Sequence, residues 1–294
     1  MILLPLYRMD KSLEVVPIPS ENKKRSKLLD KIEVANLPKL PTTCLLLGSV
    51  GSGKSSCLWS LLTNGYVYGK SKKSVFDEMV FYLGNLESND TFDKIKCKNK
   101  CVLNDFDVTA FEQYLTDLKA HQMKRIEKGK APLEIAIIFD DFASVSLLKK
   151  QKGQDSNPLE RLVLTSRHEA NCSIFFLSQS YKNGGFTTPL VRNNIMTYII
   201  YNVSRPEIEK ISEELCNQFT PQEFQAIYFH TMETPYAFLT IDTRRPLAER
   251  IWHRFDHPIT YNDIHPESMP GKYEEIEKNV EPTQKQKQDA KKRK

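Results

Sequence analysis

Short apolar runs punctuate this chain, each bounded by glycine, proline or a polar cluster. Thr43 to Leu47, Val75 to Leu83, Ile135 to Phe139, Ser173 to Leu177, Ile195 to Val203 and Tyr236 to Ile241 read as strands. Ile135-Ala136-Ile137-Ile138-Phe139 is apolar at every position rather than at alternate ones. Both its faces must therefore be covered, as in the central strands of a parallel sheet packed between helices. Between these runs the apolar period lengthens to that of a helix. Ser55 to Leu62 predicts a helix ending near Asn64-Gly65, with Gly65 in the position just past the end. Phe111, Leu115, Leu118 and Ile126 predict an amphipathic helix over 109–128, opened by the capping box Thr109-x-x-Glu112 and ended by Gly129 and Pro132. Asn157-Pro158-Leu159-Glu160 has cap, first-turn proline and third-position glutamate in order, and predicts a helix to about Ala170. Ser204-x-x-Glu207 and Thr220-x-x-Glu223 open two shorter helices. Strands alternating with helices predict an α/β fold with a mostly parallel central sheet flanked by helices.

Composition narrows the organisation. With 294 residues, 40% of them hydrophobic, the chain can bury one sizeable core with flanking segments. The prolines at 5, 17, 19, 38 and 41 and the basic Lys23-Lys24-Arg25-Ser26-Lys27 mark residues 1–40 as an extended arm. Residues 41–260 form the domain, and 261–294 a basic, disordered tail in which Lys285 to Lys294 holds six basic residues and one acid. A net charge of +5 permits a polyanionic partner, and the tail is where non-specific nucleic-acid affinity would reside. A plain solvated charge run is the competing meaning of both basic segments. The six cysteines lie mostly in apolar patterns and fit free thiols in a reducing compartment. Cys97-x-x-x-Cys101, in a lysine-rich loop, would be half a zinc site, but no second pair stands at matching spacing. No apolar run approaches the roughly 20 residues of a membrane span, nor is there a signal-peptide core, so a soluble intracellular protein is expected.

The chemistry gathers at two motifs. Gly48-Ser49-Val50-Gly51-Ser52-Gly53-Lys54-Ser55 fits G-x-x-x-x-G-K-[ST], with a buried strand running in and a helix running out. That is a Walker A phosphate loop. Its glycines let successive N–H groups wrap a phosphate at the helix start, where Ser56 follows Ser55. Lys54 would reach the β- and γ-phosphates of ATP, and Ser55 would put its hydroxyl on Mg2+. The alternative is an ordinary Gly/Ser turn before a helix. Ile135 to Phe139 runs straight into Asp140-Asp141, which falls at the strand's C-terminal edge, where open α/β sheets bind ligands. This is a Walker B element: Asp140 would hold the metal and Asp141 would orient and deprotonate the attacking water. Gln179 ends the following strand, where it can read the γ-phosphate.

A strand placed between Walker A and Walker B, with a polar residue ending the strand after Walker B, marks the additional-strand branch of P-loop NTPases, with a RecA-like core. Arg167-His168, Ser178-Gln179 and Pro189-Leu190-Val191-Arg192-Asn193-Asn194 narrow it further. Over about residues 41–245 the set resembles the FtsK/HerA superfamily, most closely the poxvirus-type DNA-packaging ATPases of large DNA viruses. The resemblance implies ATP hydrolysis coupled to pumping double-stranded DNA into a capsid by a homo-oligomeric ring. It further implies capsid or portal partners, and a location in the virion or the host-cell cytoplasm at a viral factory. It also implies an arginine finger completing a neighbour's site, with Arg167 the leading candidate and Arg161 and Arg192 the alternatives. One departure is Asp141, where many relatives carry a longer glutamate.

Other classes lack their marks. A GTPase would need Asn-Lys-x-Asp, which is absent from the sequence. A nucleotide kinase would pair its loop with an arginine-rich lid and an acceptor pocket, whereas two aspartates followed by Gln179 suit water as acceptor. A conjugation or chromosome-segregation translocase, or a DNA-binding protein that uses ATP only as a switch, remains the alternative within reach of these motifs.

Overall fold

The computed structural model describes residues 36–84, 89–141, 155–182, 188–216 and 219–259. β1 (Thr43–Leu47) leads through the glycine-rich loop into α1 (Lys54–Ser60), which continues as a wider π turn, Leu61–Gly65, closed by Tyr66 N–H to Leu61 O at 2.7 Å. A hairpin, β2 (Val67–Tyr68) and β3 (Lys73–Ser74), precedes β4 (Glu78–Leu83), α2 (Asn89–Asp93), β5 (Asn99–Leu103), α3 (Val108–Glu127) and β6 (Ile135–Asp140). Next come α4 (Pro158–Thr165), extended by a second π turn, Ser166–Ala170, then β7 (Cys172–Ser178), α5 (Pro189–Asn193) and β8 (Thr197–Ile200). α6 (Arg205–Leu215), α7 (Pro221–Thr231), β9 (Leu239–Asp242), β10 (Ile251–His253) and β11 (His257–Pro258) complete the described chain.

Among the described residues nine strands form one sheet in the order β11-β10-β9-β8-β1-β7-β6-β4-β5. From β8 to β5 every pairing is parallel, and from β8 to β11 every pairing is antiparallel. β7 stands between the strand entering the phosphate loop and the strand ending in Asp140, so the fold is that of an additional-strand P-loop NTPase.

Strand residues alternate between two cores. Leu45, Leu47, Ile137, Phe139, Ile174 and Phe176 pack with Phe111 and Leu118 of α3, Leu159 and Leu162 of α4, and residues of α6 and α7. Cys44, Leu46, Ala136, Ile138, Phe175 and Leu177 face the other way, onto Leu58, Leu61 and Leu62 and onto Phe92 of α2. Both sets are apolar because both faces are roofed, which is why these strands lack alternation in sequence. Buried Gln122 ties the layers: its amide donates to Leu133 O at 2.9 Å and Ala170 O at 2.8 Å, and its oxygen accepts from Leu133 N–H at 2.8 Å.

Several expectations are corrected. Gly65 lies inside the π turn rather than beyond it. A Cβ there would meet Leu37 Cδ1 at 2.9 Å, so the residue is small for packing and not for a left-handed cap. The strand expected from Val75 begins at Glu78, because Val75 and Phe76 are buried by side-chain packing ahead of the ladder. Asp107, not Thr109, caps α3, accepting from Thr109 N–H and Ala110 N–H, while Glu112 is drawn to Arg161. Ile126 is exposed. Ser204 makes no side-chain cap. The strand expected over Ile195 to Val203 is Thr197–Ile200, and that expected from Tyr236 starts at Leu239 and is followed by two more. Cys101 lies in the half-exposed edge strand β5 rather than in a loop, and among the described residues no group of three or more histidine, cysteine, aspartate or glutamate side chains is placed to hold a metal ion. Leu37 and Leu40 are buried in the same core as Leu58 and Leu61, and Tyr66 Oη donates to Pro38 O at 2.7 Å. The arm over 1–35 and the basic tail lie outside the described residues.

Candidate functional site

The phosphate loop is built by its neighbours as much as by its own glycines. Gly48 N–H donates to Ser178 O at 3.1 Å and Ser49 N–H to Asn202 O at 3.0 Å, anchoring the loop to the ends of β7 and β8. At Gly48 a Cβ would stand 2.6 Å from Tyr201 Cβ and 2.7 Å from Ser52 Oγ, so no side chain fits. Gly51 and Gly53 take φ of 75° and 105°, the left-handed region where glycine is unstrained, and Gly53 caps α1. Val50 is 78% exposed at the loop's tip, and Ser55 and Ser56 follow Lys54 on the first turn.

Lys54 is buried. Its Nζ donates to Gly48 O at 2.8 Å and Ser49 O at 3.0 Å, spanning the loop from inside. Burial pushes its ammonium below the ordinary lysine value, and the carboxylates of Asp141 and Asp140 pull it part of the way back. Ser52 Oγ is buried with no hydrogen-bond partner among the described residues, a group that a phosphate oxygen would satisfy. An inward-facing cation, left-handed glycines and an orphaned hydroxyl suit a polyphosphate.

The two aspartates separate in environment. Asp140 is 4% exposed at the end of β6, its backbone oxygen accepting from Gly84 N–H at 3.0 Å. Asp141 is exposed and takes φ 46°. Aspartate and asparagine enter that region far more readily than longer side chains, so a short carboxylate suits this turn. Gln179, at the end of neighbouring β7, donates from Nε2 to Asp141 Oδ2 at 2.9 Å. The hydroxyl of Ser55 and the carboxylate of Asp140 are hard oxygen donors of the kind Mg2+ prefers.

Behind Gln179 the chain is clamped. Ser178 Oγ donates to Ser180 O at 2.8 Å, and Glu207 on the first turn of α6 accepts from Ser180 Oγ and, at 2.7 Å, from Tyr181 N–H. Glu207 thus holds the segment after Gln179 instead of capping its own helix. In sequence Glu207 reads only as a cap for its own helix, and Asn202 belongs to no motif. Their roles follow from strand order, which brings the end of β8 beside the end of β1, with Leu47 opposite Ile200.

Gly48 to Ser56, Asp140, Asp141 and Gln179 therefore meet at one edge of the sheet. The arginines do not join them. Arg167 lies on the π turn before β7, with Nη1 3.9 Å from Met196 Sδ. That is the opposite edge, since β7 has seven residues and at about 3.3 Å each is about 23 Å long. Arg161 pairs with Glu112 and donates to Ser156 O at 2.6 Å. Arg192 pairs with Glu214 at 3.1 Å and stacks over the Tyr181 ring.

No family model matches the chain, and no curated protein matches it. Among solved structures it is similar to B204, the DNA-packaging ATPase from Sulfolobus Turreted Icosahedral Virus, with a TM-score of 0.49 at 16% identity over 75% of this chain and 98% of that one. It is also similar to the genome packaging NTPase B204 from Sulfolobus turreted icosahedral virus 2 in complex with ATP-gammaS, with a TM-score of 0.47 at 18% identity over 72% of this chain and 96% of that one. A third likeness is to EssC, ATPases 2 and 3, from Geobacillus thermodenitrificans, with a TM-score of 0.48 at 15% identity over 81% of this chain and 43% of that one. Likeness at this level assigns no activity; the site's chemistry rests on the residues above.

Proposed function

We propose that the chain hydrolyses ATP and couples the hydrolysis to translocation of double-stranded DNA, packaging a viral genome into its capsid. The observation that carries the hydrolytic reading is the hydrogen bond from Gln179 to Asp141 at the sheet edge that bears the phosphate loop. It ties the residue suited to sense the γ-phosphate to the residue suited to take a proton from water. In this reading Lys54 and the loop N–H groups hold the β- and γ-phosphates. Ser55 and Asp140 would hold Mg2+, which supplies charge neutralisation of the transferred phosphoryl group. Asp141 orients the attacking water and accepts its proton, and Gln179 keeps that carboxylate aimed.

The translocase part rests on the sequence resemblance of Arg167-His168, Ser178-Gln179 and Pro189 to Asn194 to the FtsK/HerA superfamily, and on the basic tail. A homo-oligomeric ring, capsid or portal partners, and work in the virion or a cytoplasmic viral factory belong to the same proposal. Among the described residues no helix is long and apolar enough to cross a membrane.

The test is turnover of the full chain with and without duplex DNA. Lys54→Ala should lose nucleotide binding and hydrolysis. Asp141→Asn should bind ATP yet turn over at least about 100-fold more slowly, the usual scale for losing a general base. Duplex DNA should raise the wild-type rate. Unchanged turnover in Lys54→Ala would sink the phosphate-loop assignment, and a rate indifferent to DNA would leave an ATPase that is not this motor.

A further inference from the structure

A cavity of about 990 Å³ runs beside α1 from the phosphate loop to Gly65. The catalytic reading uses only its phosphate-loop end, Gly51 to Ser55, and leaves the rest without a role. One wall is the helix face carrying Ser56 and Cys57; the other comes from the antiparallel end of the sheet, with Tyr236, Phe238, Arg254, Phe255 and Asp256. Phe238 and Phe255 meet edge to face, ring centroids 5.0 Å apart, and form an apolar floor. Such a mix of aromatic floor and a few polar groups, in a volume at the upper end of small-molecule sites, is what ligand pockets show.

Tyr236 is the telling residue. It follows Pro235 in a turn closed by Ala237 N–H to Thr234 O at 3.2 Å, and takes φ 56°, a position where glycine is favoured. Yet it is a tyrosine, 73% exposed, with its ring so placed that a Cβ on Gly53 would touch its Cδ1 at 3.5 Å. A large ring held over the phosphate loop by a strained backbone, with its face left to solvent, has no packing purpose. Arg254 is a second such case, at φ 53°, with its N–H on Phe238 O at 2.9 Å. Of the five non-glycine residues at positive φ among those described, Tyr236 and Arg254 both line this cavity. Strain of this kind gathers where function requires it. On the other side of Tyr236 a smaller cavity of about 360 Å³ is lined by Val50, Thr234 and Pro235, away from the helix that carries Lys54 and Ser55.

We propose that the larger cavity is the nucleoside subsite. The base of a nucleotide held by the phosphate loop stacks on the Tyr236 ring, above the Phe238–Phe255 floor, and Arg254 and Asp256 at the rim take the ribose hydroxyls. This rests on the phosphate-loop reading of the preceding subsection and adds the part of the substrate that lies beyond the phosphates. Stacking is tolerant of base identity, because every base offers a π-face.

Equilibrium binding of two probes to the full chain, ATP and inorganic tripolyphosphate, tests it. Tyr236→Ala should weaken ATP roughly 5- to 150-fold, the span of base–aromatic stacking on alanine substitution. It should leave tripolyphosphate within about 2-fold, and Tyr236→Phe should keep ATP affinity. Tyr236→Gly, which relieves the backbone strain, guards against a folding defect and should repeat the alanine result. The proposal is overturned if the alanine and glycine variants keep ATP affinity, or weaken both probes alike. If Lys54→Ala leaves both probes bound as tightly as wild type, the phosphate-loop reading fails first and takes the subsite with it.

Discussion

Glu214, near the end of α6, gathers three donors: Tyr181 Oη at 2.7 Å, Arg192 Nε at 3.1 Å and Lys182 Nζ at 3.2 Å. Burial alone would raise its carboxyl; the hydrogen bonds from Tyr181 and Lys182 and the Arg192 charge outweigh it and hold the group below the usual carboxylate range. A depressed folded-state value means that the unfolded chain takes up the proton first as pH falls. The stabilisation is then complete above the unfolded value of about 4.3 and is lost as pH falls through the folded one. Glu214→Gln should therefore lower stability at pH 7, with the gap to wild type closing below about pH 4.3 in urea melts at several pH values. A gap independent of pH would mean that packing rather than charge is at stake. Asp141 makes a different point at the same scale. Its left-handed backbone suits asparagine as well as aspartate, so Asp141→Asn removes the carboxylate's chemistry without disturbing the turn.

Among the elements, α6 has the most direct line to the chemistry. Glu207 fastens its first turn to Ser180 and Tyr181, one and two residues after Gln179, and hydrogen bonds to a charged acceptor contribute about 1.5 to 3 kcal/mol each. Glu207→Ala should loosen Gln179 without touching the phosphate loop, lowering kcat about 10-fold while the KM for ATP stays within about 2-fold. A matched fall in affinity would instead show general collapse of the site. None of this is visible in Ser204-x-x-Glu207, where the glutamate reads as a cap for its own helix. The same limit recurs at α3: Thr109-x-x-Glu112 is a sound capping box in isolation, but Asp107 reaches two N–H groups and Glu112 finds Arg161 forty-nine residues away. β5 leaves no mark in the hydrophobic pattern, because a half-exposed edge strand with Asn99, Lys100 and Cys101 carries no apolar run. What was legible was whatever the local backbone demands of residue type: the central strands, the phosphate loop, the aspartates at a strand end, the Asn157 cap. Asn202, Glu207 and Tyr236 owe their places to strand order and turn geometry, which no short window contains.

At the scale of the whole molecule, Arg167 stands a strand's length from its own phosphate loop, so any part in hydrolysis must be played across a subunit boundary. In the proposed ring, Arg167→Ala should keep ATP binding and lose turnover, arginine fingers contributing on the order of 10³ to 10⁵ in rate. Mixing it with Lys54→Ala, each inactive alone, should return part of the activity, because some interfaces then join an intact loop to an intact finger. If hetero-oligomers form and nothing returns, the finger is not Arg167, and Arg161 or Arg192 takes its place in the same experiment. How copies could meet is constrained by the two flanks that the sheet shows among the described residues. β11 is two residues long and ends in Pro258, which has no N–H to offer, while β5 presents lysine and asparagine along a half-exposed rim. Both are poor templates for a tenth strand, so neighbouring copies would be discouraged from zipping into an endless ribbon. Contact through loops and helices is the mode left open, and it can be made and broken with each turnover without tearing a ladder of main-chain bonds.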